Sequence, residues 1–191
     1  GAYLLEKTQG AGPIRGAVRL LAMLPMAVPG LVLGLGYIFF FNAPGNPLGG
    51  LYHTMALLTV CTIAHFYTTG HLTAVTALKA LDAEFEAVSA SLKVPWWVTL
   101  RRVTLPICTP AMIDIARYFF INAMTTISAV VFLYSPETKV AAIAILNLDE
   151  AGEMGAAAAC AVLITAASSL AMLAFSALAW AVDRRNQAWR A

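Results

Sequence analysis

Fifty-nine consecutive residues, 20–78, contain no Asp, Glu, Lys or Arg. A chain of 191 residues cannot hide so long an apolar run in one soluble core, so the bilayer must act as solvent, and the run accommodates two spans of about 20 residues each. Two more charge-free windows follow, 118–136 and 154–182. Overall 60% of residues are hydrophobic and 12% charged, a balance that points the same way. The fold expected is all-α, a polytopic transmembrane helix bundle with four full spans.

Those spans are expected at about 17–41, 51–78, 107–134 and 156–182. The first holds Pro25 and Pro29 with Gly30, Gly34 and Gly36, so it should kink and present small residues that let a neighbouring helix approach. Residues 42–50, NAPGNPLGG, make an uncharged turn. The fourth span is rich in Ala and Ser, as close helix packing requires, and stops at Asp183, Arg184 and Arg185. Residues 6–16 are polar and glycine-rich and read as a surface loop. Residues 135–154 mix four acids and one lysine with a short apolar run, which suits a loop carrying a re-entrant or interfacial piece.

The long polar interruption is 82–106. Its first half places Leu81, Phe85, Val88 and Leu92 on one helix face and leaves Glu84, Glu86, Ser89 and Lys93 elsewhere. A second short helix should start with Pro95 in its first turn, carry Trp96, Trp97, Leu100 and Val103 with Arg101 and Arg102, and leave at Pro106 and Pro110. Indole rings and arginines together suit a membrane interface.

The run LKVPWWVTLRRVTLP resembles the cytoplasmic loop shared by binding-protein-dependent ABC importer permeases. That loop reads Glu-Ala-Ala, three residues, Gly, nine residues, Ile or similar, one residue, Leu-Pro. Counting back from Leu105 and Pro106 puts Val103 at the aliphatic position, Lys93 at the glycine and Ala87 at the acid, with Glu84 and Glu86 beside it. Lysine in place of glycine predicts that the first helix runs on until Pro95 stops it.

The resemblance implies a bundle of the type I ABC importer permease kind. It makes residues 1–191 a single permease domain cut from a longer chain, in one arrangement a fusion of two permeases, and 82–106 a cytoplasmic coupling helix pair. The docking residues implied for a separate ATP-binding ABC subunit are Glu84, Phe85, Glu86, Ala87, Val88, Leu92 and Lys93. A second permease domain, a periplasmic substrate-binding protein and a bacterial inner-membrane location come with it. Ala2–Leu5 resemble the end of a preceding transmembrane helix. The segments PMAVPGLVLGLGYIFFFN, RYFF and ISAVVFLYSPET are similar to those of permeases for 2-aminoethylphosphonate uptake, sister proteins of the ferric-iron permeases. The phosphonate is the expected solute, ferric iron the alternative, and a polytopic scaffold without transport the reading from another class.

Other functions find little support. A net charge of +2, with basic residues at span ends rather than on one face, speaks against nucleic acid. No Gly is followed by Lys, and G-x-S-x-G and H-E-x-x-H are absent, so no catalytic residue is expected and energy must come from a partner. Cys61, Cys108 and Cys160 stand singly, and His53, His65 and His71 lack the i, i+4 spacing of paired ligands, so neither metal nor cofactor is expected. Residue 1 is Gly and no charged n-region precedes a short apolar segment, so no signal peptide is expected. Candidates for a permeation path are His65, Arg117, Asn122 and Thr125. Asp114 and Arg117, three residues apart, either neutralise each other or serve that path.

If 82–106 faces the cytoplasm, ten of the 12 basic residues lie inside, with Lys139 outside and Arg117 within a span. The positive-inside rule then puts both the loop and the C-terminus in the cytoplasm. Impermeant thiol labelling of intact cells should reach a cysteine placed in the 42–50 turn and miss Ser91→Cys; labelling of Ser91→Cys would reverse the orientation.

Overall fold

The computed structural model describes residues 1–7, 12–82 and 84–187. Its elements are α1 (Ala2–Lys7), α2 (Gly12–Ala27), α3 (Gly30–Phe41), α4 (Met55–Lys79), α5 (Glu84–Ser91), α6 (Trp96–Thr99), α7 (Leu105–Thr125), α8 (Ala141–Glu150) and α9 (Met154–Gln187). No strand occurs among the described residues, as the all-α reading requires. In the stretch expected as a surface loop, residues 8–11 lie outside the described residues and α2 already begins at Gly12. Pro13 sits in its first turn, where a missing N–H costs nothing. Arg190 and the Arg185 side chain, counted in the charge asymmetry, also lie outside what is described. The chain divides into two compact units: one of Gly1–Ala22, Thr69–Tyr118 and Leu173–Ala191, the other of Met23–Thr68 and Phe119–Met172.

The stretch 17–41, expected as one kinked span, is two helices. Pro29 takes φ −57° and ψ 139° ahead of α3, and the chain turns by 106° between α2 and α3. A proline pushes the residue before it out of the α region, so the break falls at Val28. Pro25 is accommodated inside α2. Among the described residues, Met154–Arg184 is the helix long and apolar enough to cross a membrane, at mean hydropathy 2.1, and the bent pair can make a second crossing. α4 and α7 have 25 and 21 residues, but Thr, His and charged side chains dilute them.

The window 107–134 departs from expectation too. α7 stops at Thr125, and residues 126–134 fold as successive turns closed by Val131 N–H to Ile127 O and Leu133 N–H to Val130 O, each 2.9 Å. Far from being a surface loop, this stretch is the centre of its unit. Ala129, Val130 and Leu133 are at most 1% exposed and cluster with Phe41, Leu57, Leu58, Cys61 and Ile143. Turns forfeit the regular partners of a helix, so their carbonyls must find other donors. Cys61 donates its S–H to Ala129 O at 3.3 Å, the Tyr52 hydroxyl donates to Phe132 O at 3.2 Å, and His53 Nδ1 meets Tyr134 O at 3.1 Å. Cys61 is thus a donor as well as a small buried apolar residue.

Through its glycines α3 approaches this turn and, at Gly30, His65 of α4 as well. A Cβ at Gly34 would lie 2.8 Å from Ala129 O, and one at Gly30 would collide with Ser128 Oγ and stand 3.1 Å from His65 Cε1. Gly36, expected in the same stripe, has open space around it. The 135–154 stretch supplies α8, whose Ile143 joins the core, and Gly152 at φ 80° turns the chain toward α9. Gly34→Ala should therefore destabilise by about 1–3 kcal/mol, the usual cost of overpacking, while Gly36→Ala leaves the unfolding midpoint of the detergent-solubilised protein unchanged. Equal midpoints for the two variants would contradict this packing.

Candidate functional site

The 82–106 segment is built from the inside out. Asp82 Oδ1 accepts from Glu84 N–H at 3.0 Å, satisfying one of the donors that the first turn of α5 leaves open. Glu86 faces inward, its carboxylate 3.2 Å from Lys7 Nζ, and the same ammonium donates to Leu81 O at 3.3 Å. With that face fixed inward, helical spacing sends the apolar positions the other way. Phe85, Val88 and Leu92 are 45%, 56% and 69% exposed. Glu84, Ala87 and Lys93 are exposed as well. Of the two carboxylates expected to serve one surface, Glu84 is on it and Glu86 is held by Lys7.

The end of α5 corrects the reading of Lys93. The helix does not continue to Pro95: α5 stops at Ser91 and Lys93 adopts φ 54°, the left-handed conformation usually reserved for glycine. Lys93 N–H donates to Ala90 O at 3.0 Å and Val94 N–H to Ser89 O at 2.9 Å, the paired bonds of a Schellman terminus. The backbone keeps the turn that the importer loop makes with glycine, at a conformational cost of about 1–2 kcal/mol.

The second helix is corrected as well. Pro95 precedes it as its N-cap, at φ −59° and ψ 139°, and accepts from Val98 N–H at 2.9 Å. The chain does not exit at Pro106 or Pro110: α6, a π-helical stretch over Leu100–Thr104, and α7 follow one another without a break. Pro106 brings no N–H and its ring crowds the Arg102 carbonyl. The wider π turn just before it gives that ring room. Trp96 stacks on Tyr3 with centroids 6.0 Å apart. Trp97, Arg101 and Arg102 line a hollow of about 500 Å³.

Nearby, Arg19 Nη2 donates to Glu6 Oε1 at 2.6 Å, and this hydrogen-bonded guanidinium holds the Glu6 carboxyl below its ordinary value. Because the folded value is lowered, the pair adds stability above the ordinary 4.5 and loses it as pH falls below.

The expected path residues are drawn from both units. Arg117 belongs to the unit that holds the 82–106 segment. It pairs with Asp114 at 2.9 Å and donates to Ser176 Oγ at 3.4 Å. His65, Asn122 and Thr125 belong to the other unit. Among the described residues His65 Nδ1 is buried without a hydrogen-bond partner, and Asn122 O accepts from Thr126 N–H at 2.9 Å. Thr125 lines a cavity of about 370 Å³ together with Asp149 and Thr165. The two hydroxyls donate to Ile121 O and Ala161 O, so toward the cavity both can only accept. Sequence reasoning missed Asp149 and Thr165, since one reads as an acid in a polar loop and the other as a position in an Ala-rich helix. No cluster of three His, Cys, Asp or Glu able to hold a metal occurs among the described residues.

Residues 6–185 match the family described as binding-protein-dependent transport system inner membrane component. The chain is 34% identical over 158 residues to a ferric transport system permease protein of Actinobacillus pleuropneumoniae, covering 83% of this chain and 22% of that one. It is 28% identical over 159 residues to a 2-aminoethylphosphonate transport system permease protein of Salmonella typhimurium, covering 82% and 58%. The chain thus spans about a fifth of the ferric relative's length. Among solved structures it resembles a chain of a bacterial ABC transporter for the acidic polysaccharide alginate, with TM-score 0.68 at 17% identity over 96% of this chain and 70% of that one.

Replacing Lys93 by Gly should remove the left-handed strain and stabilise the end of α5 by about 1 kcal/mol, slowing hydrogen exchange of the Val94 amide roughly fivefold. Faster exchange in that variant would contradict the terminus described here.

Proposed function

This chain belongs to the family of binding-protein-dependent transport system inner membrane components, and from that premise we propose that it is the membrane-spanning permease part of an ATP-driven importer whose 82–106 segment docks on a separate ATPase subunit. The observation that carries the proposal is the outward apolar face of α5. Phe85, Val88 and Leu92 stay exposed on a helix whose polar side is held inward by the Glu86–Lys7 pair. A contiguous apolar face held open in this way marks a surface meant for a partner. Glu84 stands at its edge for a basic rim, where such pairs set register more than affinity.

In this reading the chain is a transport component and not an enzyme. ATP binding closes the ATPase dimer and draws the docked helices with it, and the permease domains move as bodies to expose the pathway alternately to the two sides. A second permease domain completes the pathway and a periplasmic binding protein delivers the solute. Four spans cross the inner membrane, the first of them bent at Pro29, with 82–106 and the C-terminus in the cytoplasm.

The solute proposed is 2-aminoethylphosphonate. Relatives named for it match over 58% of their own length, and the cavity with Asp149, Thr125 and Thr165 offers acceptors suited to an ammonium group. Ferric iron is the second reading, favoured by the 34% identity to a ferric permease. The test uses the full-length permease in a strain lacking its own importer. Phe85→Asp should weaken ATPase co-purification by about 2 kcal/mol or more, roughly thirtyfold, and abolish uptake, while membrane insertion is unchanged. Full ATPase retention with normal uptake would overturn the docking role. Accumulation of iron in place of the phosphonate would decide for the second reading.

A further inference from the structure

A cavity of about 720 Å³ lies behind α5 and α6, on the opposite side from the exposed apolar face, and α1 and α2 complete its wall. Its polar lining is unusual for what it leaves unmet. Thr99 is 4% exposed, and among the described residues its hydroxyl has no hydrogen-bond partner; Arg15 Nε, lining the same cavity, is likewise buried without one. A guanidinium N–H can only donate, and a buried donor without an acceptor is costly. The charges are uneven as well. Lys7 is matched by Glu86 at 3.2 Å, whereas Arg19, Lys79 and Arg15 all act on the one carboxylate of Glu6, so cations outnumber acids around it. Trp96, stacked on Tyr3, supplies an aromatic wall.

We propose that this cavity is a binding site for a singly charged phosphoryl group, in the first place the phosphodiester headgroup of an anionic phospholipid. The donors of Arg15 and Thr99 meet oxygen acceptors, and the negative charge meets the excess of cations around Glu6. Because Glu86 belongs at once to the cavity wall and to the inner face of α5, where Lys7 of α1 pairs with it, an occupant braces the helix whose other face is exposed. The site is independent of which solute is carried.

The test is lipid retention by the purified full-length permease in native mass spectrometry, with phosphatidylglycerol, diacylglycerol and inorganic phosphate as probes. The wild type should retain phosphatidylglycerol at least tenfold over diacylglycerol. Arg15→Gln and Thr99→Val should each lower retention at least fivefold, with Arg15→Lys restoring part of it. Arg102→Gln, which removes a charge outside the cavity, should leave retention unchanged. Saturable inorganic phosphate binding that is sensitive to Arg15→Gln, without selective lipid retention, would assign the same chemistry to a soluble source. Retention indifferent to Arg15→Gln, or equally lowered by Arg102→Gln, would overturn the site. Uptake and ATPase docking are read separately, so failure here is distinguishable from failure of the transport reading.

Discussion

A backbone carbonyl in an apolar environment has to find its donor within the protein. Helices meet this constraint automatically, and the 126–134 turn meets it by recruiting side chains. Cys61, Tyr52 and His53 reach the carbonyls of Ala129, Phe132 and Tyr134, and around these bonds Val130, Leu133 and Ile143 close a core with almost no exposure. α3 reaches the turn because it carries Gly30 and Gly34 where any side chain would collide. Irregular backbone is tolerated here because its carbonyls are satisfied, the Ala129 bond within the core and the Phe132 and Tyr134 bonds at its exposed edge.

The second governing contact is the ion pair of Glu86 and Lys7. Its charges are largely withdrawn from solvent, at 24% and 9% side-chain exposure, so it is screened less than a surface pair. What it does for function is orientation. By holding the polar face of an eight-residue helix inward, it keeps Phe85, Val88 and Leu92 outward. In the proposed importer this fixes the docking surface before any ATPase arrives, and part of the ordering cost of association is met in advance.

Proline placement shows how one residue type gives different outcomes. Pro29 breaks the chain and turns it by 106°, Pro95 starts a helix, and Pro106 and Pro110 lie within a continuous helical path. The difference lies in what surrounds each. At Pro106 the π turn over Leu100–Thr104 absorbs the clash, whereas at Pro29 the close approach of Gly30 to the Ser128 side chain and of Gly34 to the Ala129 carbonyl rewards the bend.

The sequence by itself determined the solvent, the helical class and the loop that resembles an importer's coupling segment, and it placed Asp114 and Arg117 within reach of each other. Charge-free length, periodicity and spacing are local properties, and each is decided within a few turns of chain. Only the tertiary structure decided which face of α5 is turned inward, since that depends on Lys7, 79 residues away in sequence. Tertiary contacts also decided that 126–134 would leave the helix for a buried turn, and that Asp149 and Thr165 would share a cavity with Thr125. Lys93 carries the lesson in one residue. Its identity argues for continued helix, yet Val94 and the Ser89 and Ala90 carbonyls form a complete terminus around it, and those hydrogen bonds outweigh the modest strain of a left-handed lysine.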